Sequence, residues 1–227
     1  MSRVRTFVHD SSLSLFFGGM FLLALVGQAF AGMHEYNAGQ RAQGLGEISL
    51  GVYVTSADFA VDVTENWQSE YLQFLLFMLA TVWFVQKGSP ESKQLDHIGR
   101  ENDKQQKLGE YVEEESPRWA KAGGLRTQIF SSSLPLMMGV IFLVSWLTQS
   151  IAGWAAYNET RLEQMQDPLR WADYLLAADF WSRSLQNWQS ELLAVGSMAV
   201  LSIYLRQRGS SESKPVGEPH ESTGVSS

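Results

Sequence analysis

Polar and apolar residues are segregated along this chain rather than interleaved. Four apolar runs stand out, at 13–32, about 67–86, 134–153 and about 188–205. A bilayer crossing takes about 20 predominantly apolar residues. The first run carries no charge and only Gln28 as a strongly polar member; the fourth is the shortest and holds Gly196, Ser197 and Ser202. A core helix of a soluble protein averages about 11–12 residues and keeps a polar face. The pattern therefore predicts an all-α fold with four transmembrane helices. Arg3 and Arg5 precede a run that ends in Ala29-Phe30-Ala31, which also fits a cleavable secretory signal. Against cleavage, the third run matches the first and lies mid-chain.

That match is part of a longer one. A shift of 121 residues superimposes 5–93 on 126–214 without a gap, with 31 identities in 89 positions. Ser11-Ser12-Leu13 meets Ser132-Ser133-Leu134, Gln28 meets Gln149, and Tyr36-Asn37 meets Tyr157-Asn158. Ala57-Asp58-Phe59 meets Ala178-Asp179-Phe180, and Asn66-Trp67-Gln68-Ser69-Glu70 meets Asn187-Trp188-Gln189-Ser190-Glu191. Gly88-Ser89-x-Glu91-Ser92-Lys93 recurs as Gly209-Ser210-x-Glu212-Ser213-Lys214. The chain thus divides into a first two-span repeat (1–93), a linker (94–125), a second two-span repeat (126–214) and a tail (215–227). Each repeat has an even number of spans, so both insert in the same direction, as parallel repeats rather than inverted ones. The linker is polar and reads as helical up to Glu115 and broken at Ser116-Pro117. The tail is rich in Ser, Gly and Glu and reads as disordered.

Charge sets the threading. Of 17 Lys and Arg residues, only Arg41, Arg161, Arg170 and Arg183 lie in the connections 33–66 and 154–187. Cytoplasmic segments are enriched in Lys and Arg, so both termini and the linker are expected inside. The two connections, with five carboxylates each, are expected outside. The absence of cysteine excludes disulfide staples and Cys-ligated zinc. The net charge of −7 argues against nucleic acid as a partner. The mean hydropathy of −0.11 is then an average over apolar spans and polar connections.

Candidate chemistry is sparse. Asn66 and Asn187 suit helix N-caps, Trp67 and Trp188 suit the membrane interface, and Glu70 and Glu191 complement the helix dipole in a first turn. The functional alternative is an acidic pair, Glu70 with Glu191, that binds a cation or shares a proton. Gln28 and Gln149 read as interhelical glue, or else as the lining of a polar cavity. Tyr36, Asn37, Tyr157 and Asn158 fall at the outer span ends. Asp58 and Asp179 fall in apolar external segments that read as amphipathic helices, each Asp capping its helix or pairing with an Arg. No Walker loop, G-x-S-x-G, H-E-x-x-H or dinucleotide turn is present. Catalytic, metal and cofactor-binding residues are therefore all expected to be none, and the chain is not expected to be an enzyme.

The duplicated ENWQSE, the GSPESK and RQRGSSESK span ends and the QSIAGWAAYNE stretch resemble an uncharacterised bacterial family of integral membrane proteins, a domain of unknown function. The resemblance runs from about Arg5 to the tail; before Gly88 the chain has Gln86-Lys87 in place of the family's Arg. It implies a multi-pass protein of the bacterial inner membrane and no activity. The expected partners are the lipid bilayer and other membrane proteins. Two functions stay open: a structural or accessory membrane protein, or a small cation or proton channel or transporter.

Overall fold

The computed structural model describes residues 3–225. Among these residues it is helical, with no strand. The helices are α1 (Arg3–Asp10), α2 (Ser12–Ala42), α3 (Leu50–Tyr53), α4 (Ala57–Trp83), α5 (Arg118–Lys121), α6 (Gly124–Ser131), α7 (Ser133–Glu163), α8 (Trp171–Tyr174) and α9 (Ala178–Tyr204). The bounds of α1 to α4 recur in α6 to α9 at the same 121-residue offset found in the sequence. The chain forms two compact units. One gathers the chain up to Val63 with Ala152–Pro168; the other gathers Thr64–Ile151 with the chain from Leu169 onward.

Two helices, α2 and α7, are long and apolar enough to cross a membrane, not the four expected. Each has 31 residues, about 46 Å at 1.5 Å per residue. They are not core helices: 6% of the most apolar stretch of α2 and 22% of that of α7 is buried. The expected spans 67–86 and 188–205 fall short for a physical reason. Gln68, Ser69 and Glu70, with their copies Gln189, Ser190 and Glu191, bring polar groups into the first turns of each run. The helices then stop at Trp83 and Tyr204, leaving about 13 apolar residues, about 20 Å of rise.

Helix ends follow local chemistry. α2 closes in a Schellman motif: Gly44 at φ +75° donates to the Arg41 carbonyl, and Leu45 donates to the Gln40 carbonyl. α7 closes identically, through Met165 to Leu162 and Gln166 to Arg161, but Met165 holds φ +57° without being glycine.

The linker and tail depart from expectation. Residues 94–117 form no α-helix, only a 3-10 turn at Gly109–Tyr111. They lack an apolar stripe to bury, and Gly99, Lys107 and Gly109 take positive φ. A helix, α5, instead begins after Pro117, where a missing N–H costs nothing. The described tail is folded. Lys214, 1% exposed, donates to the carbonyls of Gly88, Pro219, His220 and Ser222. Thr223 Oγ1 accepts from Gly88 N, and Gly224 N donates to the Ser89 carbonyl.

Candidate functional site

In the first unit, α3 positions the Tyr53 ring, 3% exposed, against α2 at Gly32. A Cβ at Gly32 would strike the Tyr53 hydroxyl, so glycine here admits the ring. Asn37 fixes the connection that delivers α3: its Nδ2 donates to the Ile48 carbonyl at 3.0 Å and its Oδ1 accepts from Ile48 N at 2.9 Å. Ser49 Oγ accepts from Val52 N, capping α3, and Ser56 Oγ accepts from Phe59 N at the start of α4.

These elements enclose a cavity of about 330 Å³. Five carboxylates line it, Glu35, Asp58, Asp62, Glu159 and Glu163, with Tyr36, Tyr53 and Gln43 and no cationic side chain in its wall. Tyr36 donates to Glu159 Oε1 at 3.1 Å. Burial, and then the charges of Asp62, Asp58 and Glu35, push the Tyr53 hydroxyl above its ordinary pKa. Among the described residues no three His, Asp or Glu side chains are disposed around a single metal position.

The second unit holds the copy of this arrangement with one sign reversed. Tyr174, 1% exposed, donates to Asp179 Oδ2 at 3.0 Å. Where the first copy has Asp62, the second has Arg183. Its guanidinium reaches Glu65 Oε2 at 3.1 Å and Asp179 Oδ2 at 3.5 Å. Burial alone would lower the Arg183 pKa; the Glu65 hydrogen bond and charge outweigh it and raise it. The Tyr174 hydroxyl is pushed up by burial and then by Asp179. The duplicated Tyr–Asp pair is thus paired with a cation in one copy and opens onto an acidic cavity in the other.

Residues 4–225 match the family model described as Domain of unknown function (DUF6766). The chain belongs to this family. No curated protein and no solved structure matches it. The DUF6766 match runs through both copies, the linker and the folded part of the tail.

Within this DUF6766 chain the repeated motif residues take roles the sequence reading missed. Asn66 and Asn187 are not N-caps: α4 and α9 begin nine residues earlier, at Ala57 and Ala178, and run through them. Asp58 and Asp179 stand in the first turns instead. Ser69 and Ser190 donate to the carbonyls of Asn66 and Asn187, both at 2.8 Å. Asn187 donates to the Arg183 carbonyl. Trp67 is 39% exposed, whereas Trp188 turns inward and donates to Gln68 Oε1 at 2.7 Å.

Glu70 and Glu191 lie within Coulombic reach of one another, as expected of repeat-related residues, but neither lines the acidic cavity or the apolar one described below. Gln28 is half-buried. Gln149 is 1% exposed and neither of its amide atoms finds a partner among the described residues, so it is not interhelical glue. The Arg161 guanidinium stands 5.9 Å over the Tyr157 ring, and Asn158 is half-buried.

A second repeated site was legible as a motif but not as a structure. Gln86 N donates to Ser92 Oγ at 2.9 Å, and Gln207 N to Ser213 Oγ at 2.9 Å. Lys93 Nζ donates to the Gly99 carbonyl, and Lys214 Nζ to the His220 carbonyl, six residues on in each copy. Gly99 N donates to the Val82 carbonyl at the end of α4; His220 Nδ1 lies 2.9 Å from the Ile203 carbonyl, at the equivalent place on α9. The G-S-x-E-S-K sequence therefore builds a lysine-centred carbonyl cage that closes each helix end.

Proposed function

We propose that this chain is a non-enzymatic integral membrane protein of the bacterial inner membrane, a tandem duplication of a two-span unit that acts as an interaction or accessory component. In this reading α2, α4, α7 and α9 all cross, the copies insert in the same direction, and both termini and the linker are cytoplasmic. The bilayer and other membrane proteins are its partners. One observation carries the reading: large apolar side chains are exposed along all four long helices. Leu13, Phe16 and Leu23 on α2 and Leu143, Val144 and Ile151 on α7 are joined by Phe74, Leu76 and Leu79 on α4 and Leu192, Leu193 and Leu201 on α9. Soluble monomers rarely expose apolar patches beyond a few hundred Å², and lipid is the solvent that accepts such a belt.

The chain has no cysteine, so single cysteines report topology without background. With a membrane-impermeant maleimide on intact cells, Gln43→Cys and Gln164→Cys are expected to label, and Gln105→Cys only after permeabilisation. Labelling of Gln105→Cys from outside overturns the four-span reading in favour of a two-span one.

The acidic cavity favours a second reading, cation or proton transport. It moves the relevant carboxylates from Glu70 and Glu191 to Asp58, Asp62 and their neighbours. Liposome flux that falls in Asp58→Asn/Asp62→Asn supports it; background flux in the wild type ends it.

A further inference from the structure

The second copy contains a cavity that the first does not share. It has a volume of about 440 Å³ and is walled by Trp146 and Leu147 of α7, Trp171 of α8, Leu175, and Phe180 and Trp181 of α9. Its polar atoms are already engaged. Trp146 Nε1 donates to Ser184 Oγ at 3.3 Å, Trp171 Nε1 to Ser150 Oγ at 3.2 Å, and Trp181 Nε1 to the Leu175 carbonyl at 3.0 Å. Ser150 Oγ in turn donates to the Leu147 carbonyl. The indoles therefore present ring faces and edges to the cavity and no free donor. Trp146 lies near both Phe180 and Trp181, at centroid distances of 5.9 and 6.1 Å. A ligand that needs hydrogen bonds, such as a peptide strand or a sugar, finds none here, because burying its polar groups unpaired is unfavourable.

The repeat shows that this wall is not required by the fold. The counterparts of Trp146, Trp171, Trp181 and Ser150 are Leu25, Leu50, Ala60 and Ala29. The first copy builds the same helices with those residues. The tryptophans and the serine that orients one of them are additions to the second copy alone.

The surroundings identify the occupant. The cavity opens on α7, one of the two helices apolar and long enough to cross a membrane. Leu143, Val144, Leu147 and Ile151 stand half or more exposed along the same stretch. It lies toward the end of α7 that the Lys/Arg pattern places outside, where tryptophan sits at the boundary between headgroups and hydrocarbon. We propose that this cavity binds one acyl chain of an outer-leaflet phospholipid. The proposal rests on the membrane reading above.

The test uses the full chain in vesicles of phosphatidylethanolamine and phosphatidylglycerol, doped with a phospholipid that carries a diazirine on one acyl chain. After photolysis, labelled peptides are mapped by mass spectrometry. The expected result is several-fold heavier labelling at 143–150, 171–175 and 180–181 than at the counterpart positions 22–29, 50–54 and 59–60. It should fall to the level of those positions in Trp146→Leu/Trp171→Leu/Trp181→Ala, which restores the residues of the first copy. Equal labelling of the two copies in the wild type means ordinary boundary lipid and overturns the site. Labelling of α2 with a bare cavity also overturns it and points to a protein occupant. Absence of label from α2 and α7 together defeats the membrane reading itself, a failure distinguishable from that of the site.

Discussion

Trp188 donates its indole N–H to Gln68 Oε1, while the Gln68 amide donates to the Glu65 carbonyl and the whole side chain is 0% exposed. Trp188→Phe keeps the ring but strands a buried acceptor, which costs about 1–3 kcal/mol. Thermal unfolding in detergent should register that loss. Gln149 is the opposite case, a buried amide with no partner among the described residues. Gln149→Leu exchanges an unpaired polar group for an apolar one. It is expected to be neutral or stabilising, by up to about 2 kcal/mol in the same assay; a loss of that size would show that the amide is bound by something. Neither role was legible beforehand. The sequence marked both positions as shared between copies, and both copies present the same residue type. What differs is the neighbour each side chain meets, and a repeat alignment holds no information on that.

At the scale of elements, the two copies end their first long helix with the same motif on different residues. Gly44 accepts a positive φ freely, whereas a side chain in the left-handed region costs about 1–2 kcal/mol. Met165 is also 97% exposed, so it offsets nothing by burial. Met165→Gly is expected to stabilise by about 1 kcal/mol, seen as a higher melting temperature, and Gly44→Met to destabilise comparably. The lysine cages give a second asymmetry. Gly88 and Gly209 both have positive φ, but a Cβ at Gly88 would strike the His220 carbonyl while one at Gly209 meets nothing. Gly88→Ala should therefore free the tail to limited proteolysis after 215, and Gly209→Ala should leave it protected. The helices of both copies were legible from the apolar runs, since burial or lipid exposure of a helical face dictates composition. The cages were not, because a polar segment rich in Ser, Gly and Glu folds here through one buried ammonium and the carbonyls it collects, not through apolar burial.

For the whole molecule, charge is distributed unequally between the copies. Arg183 stands opposite Asp179 and Glu65 in one, while Asp58 and Asp62 face an acidic cavity in the other. At the opposite helix ends the two cage motifs bring Glu91 near Glu212. Burial and then the Glu212 charge raise the Glu91 pKa above the usual carboxylate value. For an acid whose folded pKa is raised, the stabilising contribution is complete below the unfolded pKa and is lost as pH rises through the folded one. The protein should thus lose stability from this site as pH climbs from about 4 toward neutral, against an unfolded Glu value of about 4.3. Glu91→Gln removes the repulsion. Its melting temperature should exceed that of the wild type at neutral pH and converge with it near pH 4.

What the sequence alone determined is the duplication, the all-helical class, the register of 121 residues and the family, because these depend on residue identity and periodicity along one chain. The tertiary structure decided which identical residues do identical work. It turned Trp188 inward, left Gln149 unpaired and placed Asn66 mid-helix. It also ordered a tail whose composition predicted disorder. Each outcome depends on distances between segments far apart in sequence, where hydrogen bonds of about 3 Å reach are won or lost.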